Sequence, residues 1–588
     1  MDFKHKIKLI SPKDSGKKYL LASISGLLLS LSYPGWEVDL GFLVWIGFVP
    51  LFFALFSQDN EGLLHDILHN KTKKHLRKLF SIGFVAGFIY FLIIFRWFFS
   101  IHPITDLGIE NELLSLVLVY LVYIVSSFGM ALLWGVFAAS SVWLRNFLPN
   151  NKKYLFNFLL IPSILVLTEY IRAWWFGILW YGPGTLLGPH WTIGNLAYAL
   201  SDNSLALWLS SYLGIYGVLF LIISVNILIY LVLIKEITPS FIFRIKKILT
   251  PGAKEKGINL RIFSIALSII VLTFVPKLIE KINFNFEKST PHHINYAIIQ
   301  TQHQSEDLTA EENLKKFKKQ LELLKKISQE HPETDIILMP EGSNFSKNLQ
   351  KFQTPEQVFD FYSRLFKKPA LVIDNSRVVD QFGRQLSRVI VTNTNKGALG
   401  HYDKRFLTPG GEFLPYHVQL LIRIFNPNSL INFISDRGFS IGENPSSSIG
   451  SDNGYNIKPI VCSDLLSPNI VKNASKNSDI LTVLTSTSIF NGNPTIINQN
   501  LAIAKFRASE LKKPLILSAN EGFSYAISSN GKIQNITKNQ DQELLTGGVA
   551  LKTKNSWYNK YGDKPILLFT VLLLSTTVLV FKFKMLAD

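Results

Sequence analysis

Long apolar runs recur along this chain at uneven spacing. Candidates lie near 19–33, 40–57, 79–100, 113–143, 154–175, 205–234, 260–279 and 565–581. A helix needs roughly 20 mostly apolar residues to cross about 30 Å of hydrocarbon, and most of these runs approach or exceed that length. The pattern predicts about eight spans. The second run is short and is separated from the first by Pro34 and Gly35, which predicts a tight hairpin. Trp97, Trp143, Trp174 and Trp175 fall near run ends, where amphipathic rings settle at a membrane interface. So many runs cannot all sit at the centre of one soluble core.

The stretch 283–564 has a different rhythm. Short β-like runs occur at Ile294–Ile299, Asp335–Met339, Ala370–Ile373, Val389–Val391, Ile457–Val461, Ile480–Val483 and Leu515–Leu517. Between the first two, Leu314, Phe317, Leu321, Leu324 and Ile327 recur at spacings of three and four among lysines and glutamates. That periodicity predicts a helix with one apolar face. A second helix is predicted near 494–512. Strands alternating with helices predict a layered α/β domain. The expected organisation is a membrane domain at 1–282, an α/β domain at 283–564, and a final span with a short tail at 565–588.

Composition narrows the class. Hydrophobic residues make up 48% of the chain and charged residues 17%, too apolar for an ordinary soluble enzyme of this length. The net charge of +18 does not point to nucleic acid, because the cations sit in short loops between apolar runs. The N-terminus and the loops at 71–78, 145–153 and 244–261 are basic, as is the tail at 582–584, and eight spans put all of them on one side. The loop 101–112 carries Asp106, Glu110 and Glu112 with no Lys or Arg. The positive-inside rule then makes both termini cytoplasmic and puts 283–564 outside the inner membrane. Lysines precede the first run and no small-residue cleavage site follows it, so that run reads as an uncleaved anchor. A single cysteine excludes an intrachain disulfide.

That cysteine, Cys462, follows the strand-like Ile457–Val461. A thiolate at a strand end is a strong nucleophile, although an isolated free cysteine is commonly a buried core residue. Glu341 follows another strand in Leu338-Met339-Pro340-Glu341-Gly342, and Lys404 follows a third in His401-Tyr402-Asp403-Lys404-Arg405. Glu412 lies in Pro409-Gly410-Gly411-Glu412-Phe413-Leu414-Pro415. Each alone reads more often as a solvated surface charge. Glu169 and Arg172, three apart in the fifth run, are either a functional intramembrane pair or a structural one. Arg96 is expected to snorkel. The histidines show no metal-ligand spacing, and the Lys-rich face at 315–326 reads as solvated.

The order Glu341, Lys404, Cys462 at strand ends resembles the nitrilase superfamily. Pro340-Glu341, Tyr402-Asp403-Lys404-Arg405, Gly411-Glu412-Phe413-Leu414-Pro415 and Leu167-Thr168-Glu169-Tyr170-Ile171-Arg172 resemble the apolipoprotein N-acyltransferase family specifically. So does an eight-span frame with its insert before the last span. The resemblance implies a nitrilase-like αββα domain beside the polytopic helical domain, in a bacterial inner membrane with the catalytic part periplasmic. It implies a Glu341–Lys404–Cys462 triad that takes an acyl chain from a phospholipid as a thioester and passes it to a diacylated apolipoprotein. The partners are then these two substrates and membrane lipids, with no nucleic acid, metal or cofactor. In chemical terms Glu341 serves as base, Lys404 and the Ser463 N–H serve as oxyanion donors, and Glu412 orients Lys404. The chain departs from the family at Cys462-Ser463-Asp464, where the family has Cys-Tyr-Glu, and at Ile489, where it has tryptophan. Asp464 is expected to position the acceptor amine or the nucleophile loop. The competing readings are a membrane-tethered nitrilase-type amidase and a non-catalytic lipid-binding paralogue.

Overall fold

The structure, a computed structural model, describes residues 14–56, 72–104, 111–146, 153–233, 293–301, 308–352, 354–425, 438–443, 449–450, 454–538, 543–551 and 555–587, with residues 109, 268 and 271. The N-terminal part is helical: α1 (Ser15–Ser32), α2 (Val49–Leu55), α3 (Thr72–Ile94), α4 (Glu112–Asn146), α5 (Lys153–Leu179) and α6 (Ser204–Leu233). Among the described residues, four helical stretches are long and apolar enough to cross a membrane: Lys73–Ile101, Glu112–Arg145, Phe158–Leu179 and Ser204–Leu233.

The expected count of eight is not reproduced among the described residues. The seventh run, 260–279, lies almost wholly outside them. The second, 40–57, is broken into a 3-10 turn Gly41–Trp45 and the seven-residue α2. Its glycines explain the break. A Cβ at Gly41 would lie 2.2 Å from the Ala199 carbonyl, and one at Gly47 would lie 2.4 Å from Leu29 Cδ2, so the chain is pressed against its neighbours. The backbone groups freed there need partners in an apolar surrounding. Asn226 of α6 supplies them, accepting from Phe48 N–H at 2.9 Å and donating to the Val44 carbonyl at 2.9 Å. The first run is the 18-residue α1, and in the last run the apolar stretch Lys564–Thr577 falls short of the other four.

Two polar residues of this region form a buried ion pair. Arg172 Nε donates to Glu169 at 2.9 Å and Arg172 Nη1 donates to the Ile193 carbonyl at 2.9 Å. Trp134 Nε1 donates to the other Glu169 oxygen at 3.1 Å. Arg96 donates to the Gly35 carbonyl at 2.6 Å and lies 3.9 Å over the Trp36 ring. It thereby ties down the turn after α1.

The α/β part holds two six-stranded sheets. The first runs β12-β1-β2-β3-β4-β5 and the second β11-β10-β9-β8-β7-β6. The strands are β1 (His293–Ile299), β2 (Ile336–Leu338), β3 (Leu371–Val379), β4 (Gln385–Asn393), β5 (Gly397–Asp403) and β6 (Ile449–Gly450). They continue with β7 (Asn456–Val461), β8 (Ile480–Ser486), β9 (Leu515–Asn520), β10 (Tyr525–Ile527), β11 (Ile533–Ile536) and β12 (Leu544–Ala550). Each sheet has a parallel centre, β1-β2-β3 or β7-β8-β9, flanked by antiparallel strands.

The period-2 alternation of strand side chains divides the core into layers. Ile298, Ile336, Leu338 and Ile373 meet Ile457, Val461, Ile480 and Leu484 between the sheets. On the outer face of the first sheet, Ala297, Ile299 and Ile337 pack against Leu323, Leu324 and Ile327 of α7 (Ala310–Glu330). A capping box starts α7: Glu312 N–H donates to Thr309 Oγ1 at 3.2 Å and Thr309 N–H donates to Glu312 at 2.8 Å. Next come α8 (Phe345–Phe352), α9 (Pro355–Leu365), α10 (Tyr416–Phe425), α11 (Pro468–Ser475) and α12 (Pro494–Leu511). The last two cover the second sheet, which completes an αββα sandwich. The chain ends in α13 (Trp557–Tyr561) and α14 (Lys564–Ala587).

The α11–α12 layer shares one apolar cluster with the membrane helices, and a buried polar network pins the two parts together. Arg507 pairs with Glu510, donates to Tyr198 Oη at 2.6 Å and reaches the Leu465 carbonyl at 3.2 Å. Thr192 donates to the Leu466 carbonyl at 2.6 Å, and His190 Nδ1 lies 2.6 Å from Ser467 Oγ. The segment just after Cys462 is therefore gripped from the membrane side.

Candidate active site

The strand ends that sequence singled out converge. Glu341 follows β2, Lys404 follows β5 and Cys462 follows β7, and all three line one cavity of 760 Å³ together with Glu412. Parallel strands deliver residues at their carboxyl ends to one edge of a sheet, so the sandwich brings together groups far apart in sequence.

Cys462 has φ 44°, a left-handed conformation that costs a non-glycine residue of order 1–3 kcal/mol. The cost is borne where the chain turns sharply from β7 into a 3-10 turn Cys462–Leu466. The turn holds the sulfur at the cavity, where Sγ lies 3.9 Å from the Ser486 carbonyl. Glu341 also meets this thiol. Its Oε1 accepts from Lys404 Nζ at 3.0 Å and its Oε2 from Ser486 N–H at 3.1 Å. Gly342, at φ 70°, makes the turn that stops β2 and leaves the carboxylate at the edge.

Lys404 is 2% exposed and lies between two carboxylates, with Glu412 Oε1 at 2.8 Å. The second Glu412 oxygen accepts from Thr408 N–H at 2.8 Å, which fixes it within its Gly-rich loop. Burial alone would lower the Lys404 ammonium, but the charges of Glu341, Glu412 and Cys462 hold it well above its ordinary value. Burial pushes the Glu341 carboxyl upward, against the pull of Lys404. Burial, with Glu341 beside it, also pushes the Cys462 thiol up to about 12; Lys404 pulls the other way without prevailing. The thiol thus holds its proton tightly, with the Glu341 carboxyl beside it.

The supporting residues sit elsewhere. Ser463 donates its hydroxyl to the Phe406 carbonyl. Asp464 does not line the cavity. It is fully buried beneath the turn and accepts from Phe406 N–H at 2.7 Å, Arg405 N–H at 3.2 Å and Tyr402 Oη at 2.8 Å. It cannot meet an acceptor amine there; it joins the segment after Lys404 to the turn that carries Cys462. Burial holds its carboxyl up at about 6, against the Phe406 N–H. The folded chain therefore binds that proton more tightly than the unfolded one, and this group's contribution to stability falls as pH rises from the ordinary carboxylate value to about 6. We predict that Asp464→Asn, whose amide would face backbone donors, destabilises the fold by about 1.5–3 kcal/mol. Thermal melts across pH 4–8 would check this; an unchanged midpoint at neutral pH would contradict it.

Ile489, in place of tryptophan, lines the cavity wall. Sequence reasoning did not single out the residues that hold the Glu341 turn. Asn375 Oδ1 accepts from Gly342 N–H at 2.8 Å, and Lys316 Nζ donates to the Gly342 carbonyl at 2.6 Å. Buried Asp374 accepts from Ser343 Oγ and from Ser346 N–H at 2.8 Å. The available signal was the polar run Asp374-Asn375-Ser376 continuing an apolar strand. Among the described residues no group of His, Cys, Asp and Glu is arranged to hold a metal.

Known proteins resemble this chain over several stretches. Residues 25–228 match the Apolipoprotein N-acyltransferase N-terminal domain. The chain is 24% identical over 543 residues to the apolipoprotein N-acyltransferase of Rickettsia prowazekii, covering 91% of this chain and 96% of that protein. It is 23% identical to that of Geobacter metallireducens, covering 93% and 92%. A carbon-nitrogen hydrolase from Helicobacter pylori superposes with a TM-score of 0.33 at 16% identity, over 44% of this chain and 89% of the hydrolase.

Proposed function

We propose that this chain, which resembles the apolipoprotein N-acyltransferases over most of its length, acylates lipoproteins by a two-step transfer through Cys462. The observation that carries the reading is a thiol at a strained turn in the same cavity as a carboxyl group and a buried ammonium that lie 3.0 Å apart.

In the first step the Cys462 S–H proton moves to Glu341 as sulfur attacks the ester carbonyl of a phospholipid. Lys404 and the Ser463 N–H carry the developing oxyanion. The C–O bond breaks, the proton passes from Glu341 to the departing glycerol oxygen, and a lysophospholipid leaves a thioester behind. In the second step the neutral α-amine of a diacylglyceryl-cysteine attacks the thioester. The C–S bond breaks, the amine's proton passes to Glu341, and then to sulfur. Glu412 keeps the Lys404 ammonium aimed while charge moves. The apolar helices can hold acyl chains, each buried CH₂ contributing about 0.8 kcal/mol.

The deciding experiment incubates the purified chain with a phospholipid labelled in its acyl chain, then adds a diacylated lipopeptide. We expect label on Cys462 first and on the lipopeptide amine second. Label that never resides on Cys462, or ammonia released from simple amides instead, would overturn the reading. The same reading puts the catalytic domain in the periplasm and both termini in the cytoplasm of a bacterial inner membrane. A reporter fused at the C-terminus should then report the cytoplasm and one inserted near Gln350 the periplasm. Both reporters on one side would refute that topology.

A further inference from the structure

The cavity that reaches Cys462 is also lined by Lys347, Lys351 and Arg377. Arg377 stands two residues beyond Asn375 on β3, on the same face of the strand and about 7 Å along it. Asn375 is the residue that holds Gly342 beside Glu341, so the cations begin one strand step from the catalytic acid. Lys347 Nζ donates to the Arg377 carbonyl at 2.9 Å, and Lys351 follows one turn later on α8. The Arg377 guanidinium carbon lies over the Phe439 ring, 4.7 Å from its centroid. The carboxylates lining this cavity are Glu341 and Glu412, both engaged by Lys404. Lys347 is lowered by partial burial and then by Lys351 and Arg377, the mark of like charges crowded together.

We propose that Lys347, Lys351 and Arg377 form the subsite for the phosphodiester of the acyl donor. The proposal rests on the acyl-transfer reading above and extends it. A phospholipid whose ester carbonyl lies at Cys462 carries its phosphate a few bonds away on the glycerol. A monoanionic phosphodiester relieves the mutual repulsion of three cations, and a planar guanidinium suits phosphate oxygens. The same rim repels a protonated amine, so it favours the donor over the acceptor.

The test uses the full chain in detergent micelles and reads Cys462 acylation in a single turnover. Two donors are compared: phosphatidylglycerol, and a p-nitrophenyl fatty-acid ester that has no phosphate. In Lys347→Gln/Lys351→Gln, acylation by phosphatidylglycerol should fall at least about tenfold. Acylation by the p-nitrophenyl ester should be unchanged, and so should transfer from preformed thioester to lipopeptide. Lys347→Arg/Lys351→Arg should restore most of the loss. An equal fall with both donors means the lysines only shape the site and overturns the proposal. A fall confined to the transfer step assigns the rim to an acidic acceptor peptide and also overturns it, as does no change at all. The unsubstituted chain is measured first; if neither donor acylates Cys462, the covalent reading itself has failed.

Discussion

Cys462→Ser should abolish acyl-enzyme formation, with lipoprotein N-acylation falling by roughly 10⁴-fold or more, while the protein still inserts and melts as before. Burial pushes Cys462 up to about 12, so even the sulfur loses its proton only as the bond to carbon forms. A serine hydroxyl is a far weaker acid than a thiol, and a carboxylate cannot drain it in the same pocket. Sulfur also reaches further and is the better leaving group when the amine arrives. Serine keeps the size and the φ of 44°, so the fold has little cause to change. Mass spectrometry of the chain after exposure to labelled phospholipid measures the first step, and lipopeptide acylation measures the whole. Near-normal activity in Cys462→Ser would mean that the acyl group passes directly between substrates, and that the turn at Cys462 serves another purpose.

What could be read from the sequence was local. Ile457–Val461 and Ile480–Val483 are apolar runs of strand length, as parallel strands buried on both faces are. The helix at Ala310–Glu330 announces itself by period. Glu341, Lys404 and Cys462 stood out because each follows such a run. What could not be read depends on distant partners. Strand β12 contains Gly547 and Gly548, poor strand formers, yet it pairs with β1. A Cβ at Gly547 would fall 2.6 Å from Tyr296 Oη, so the glycine answers to a tyrosine some 250 residues earlier in the chain. The apolar run 40–57 looked like a span, but Asn226, far along the chain, satisfies a break in it. Arg96 looked like an interfacial cation, and its bond to the Gly35 carbonyl, 61 residues away, was not legible. Asp464 drew attention by standing two residues from the nucleophile, whereas its bonds run to Tyr402 and the segment after Lys404. In each case the deciding contact is long-range, and hydrophobic periodicity carries no record of it.

Glu341→Gln should separate the base from its surroundings. Loss of a positioned general base costs about 10²–10⁴-fold, and we expect the fall in thioester formation to lie in that range. The two glutamates on Lys404 offer an internal control. Both lie within 3.0 Å of the same ammonium, but only Glu341 meets the thiol, while Glu412 is tied to Thr408 N–H. Glu412→Gln should therefore lower the rate yet keep the shape of the pH profile. In the parent chain the rate should rise with pH through the raised Glu341 value, since the carboxylate must be unprotonated to accept the thiol proton. Glu341→Gln should lose that acidic limb. Stability should move the other way. A carboxyl whose folded pKa lies above its unfolded one binds its proton more tightly when folded, so folding stability falls as pH rises between the two values. Above that window the parent bears the cost of a buried carboxylate in excess of its counter-ion, and glutamine does not. Glu341→Gln should thus lose this pH dependence of stability while being nearly inactive. A variant that melts lower and keeps the acidic limb would show that Glu341 holds the site together and that another group takes the proton.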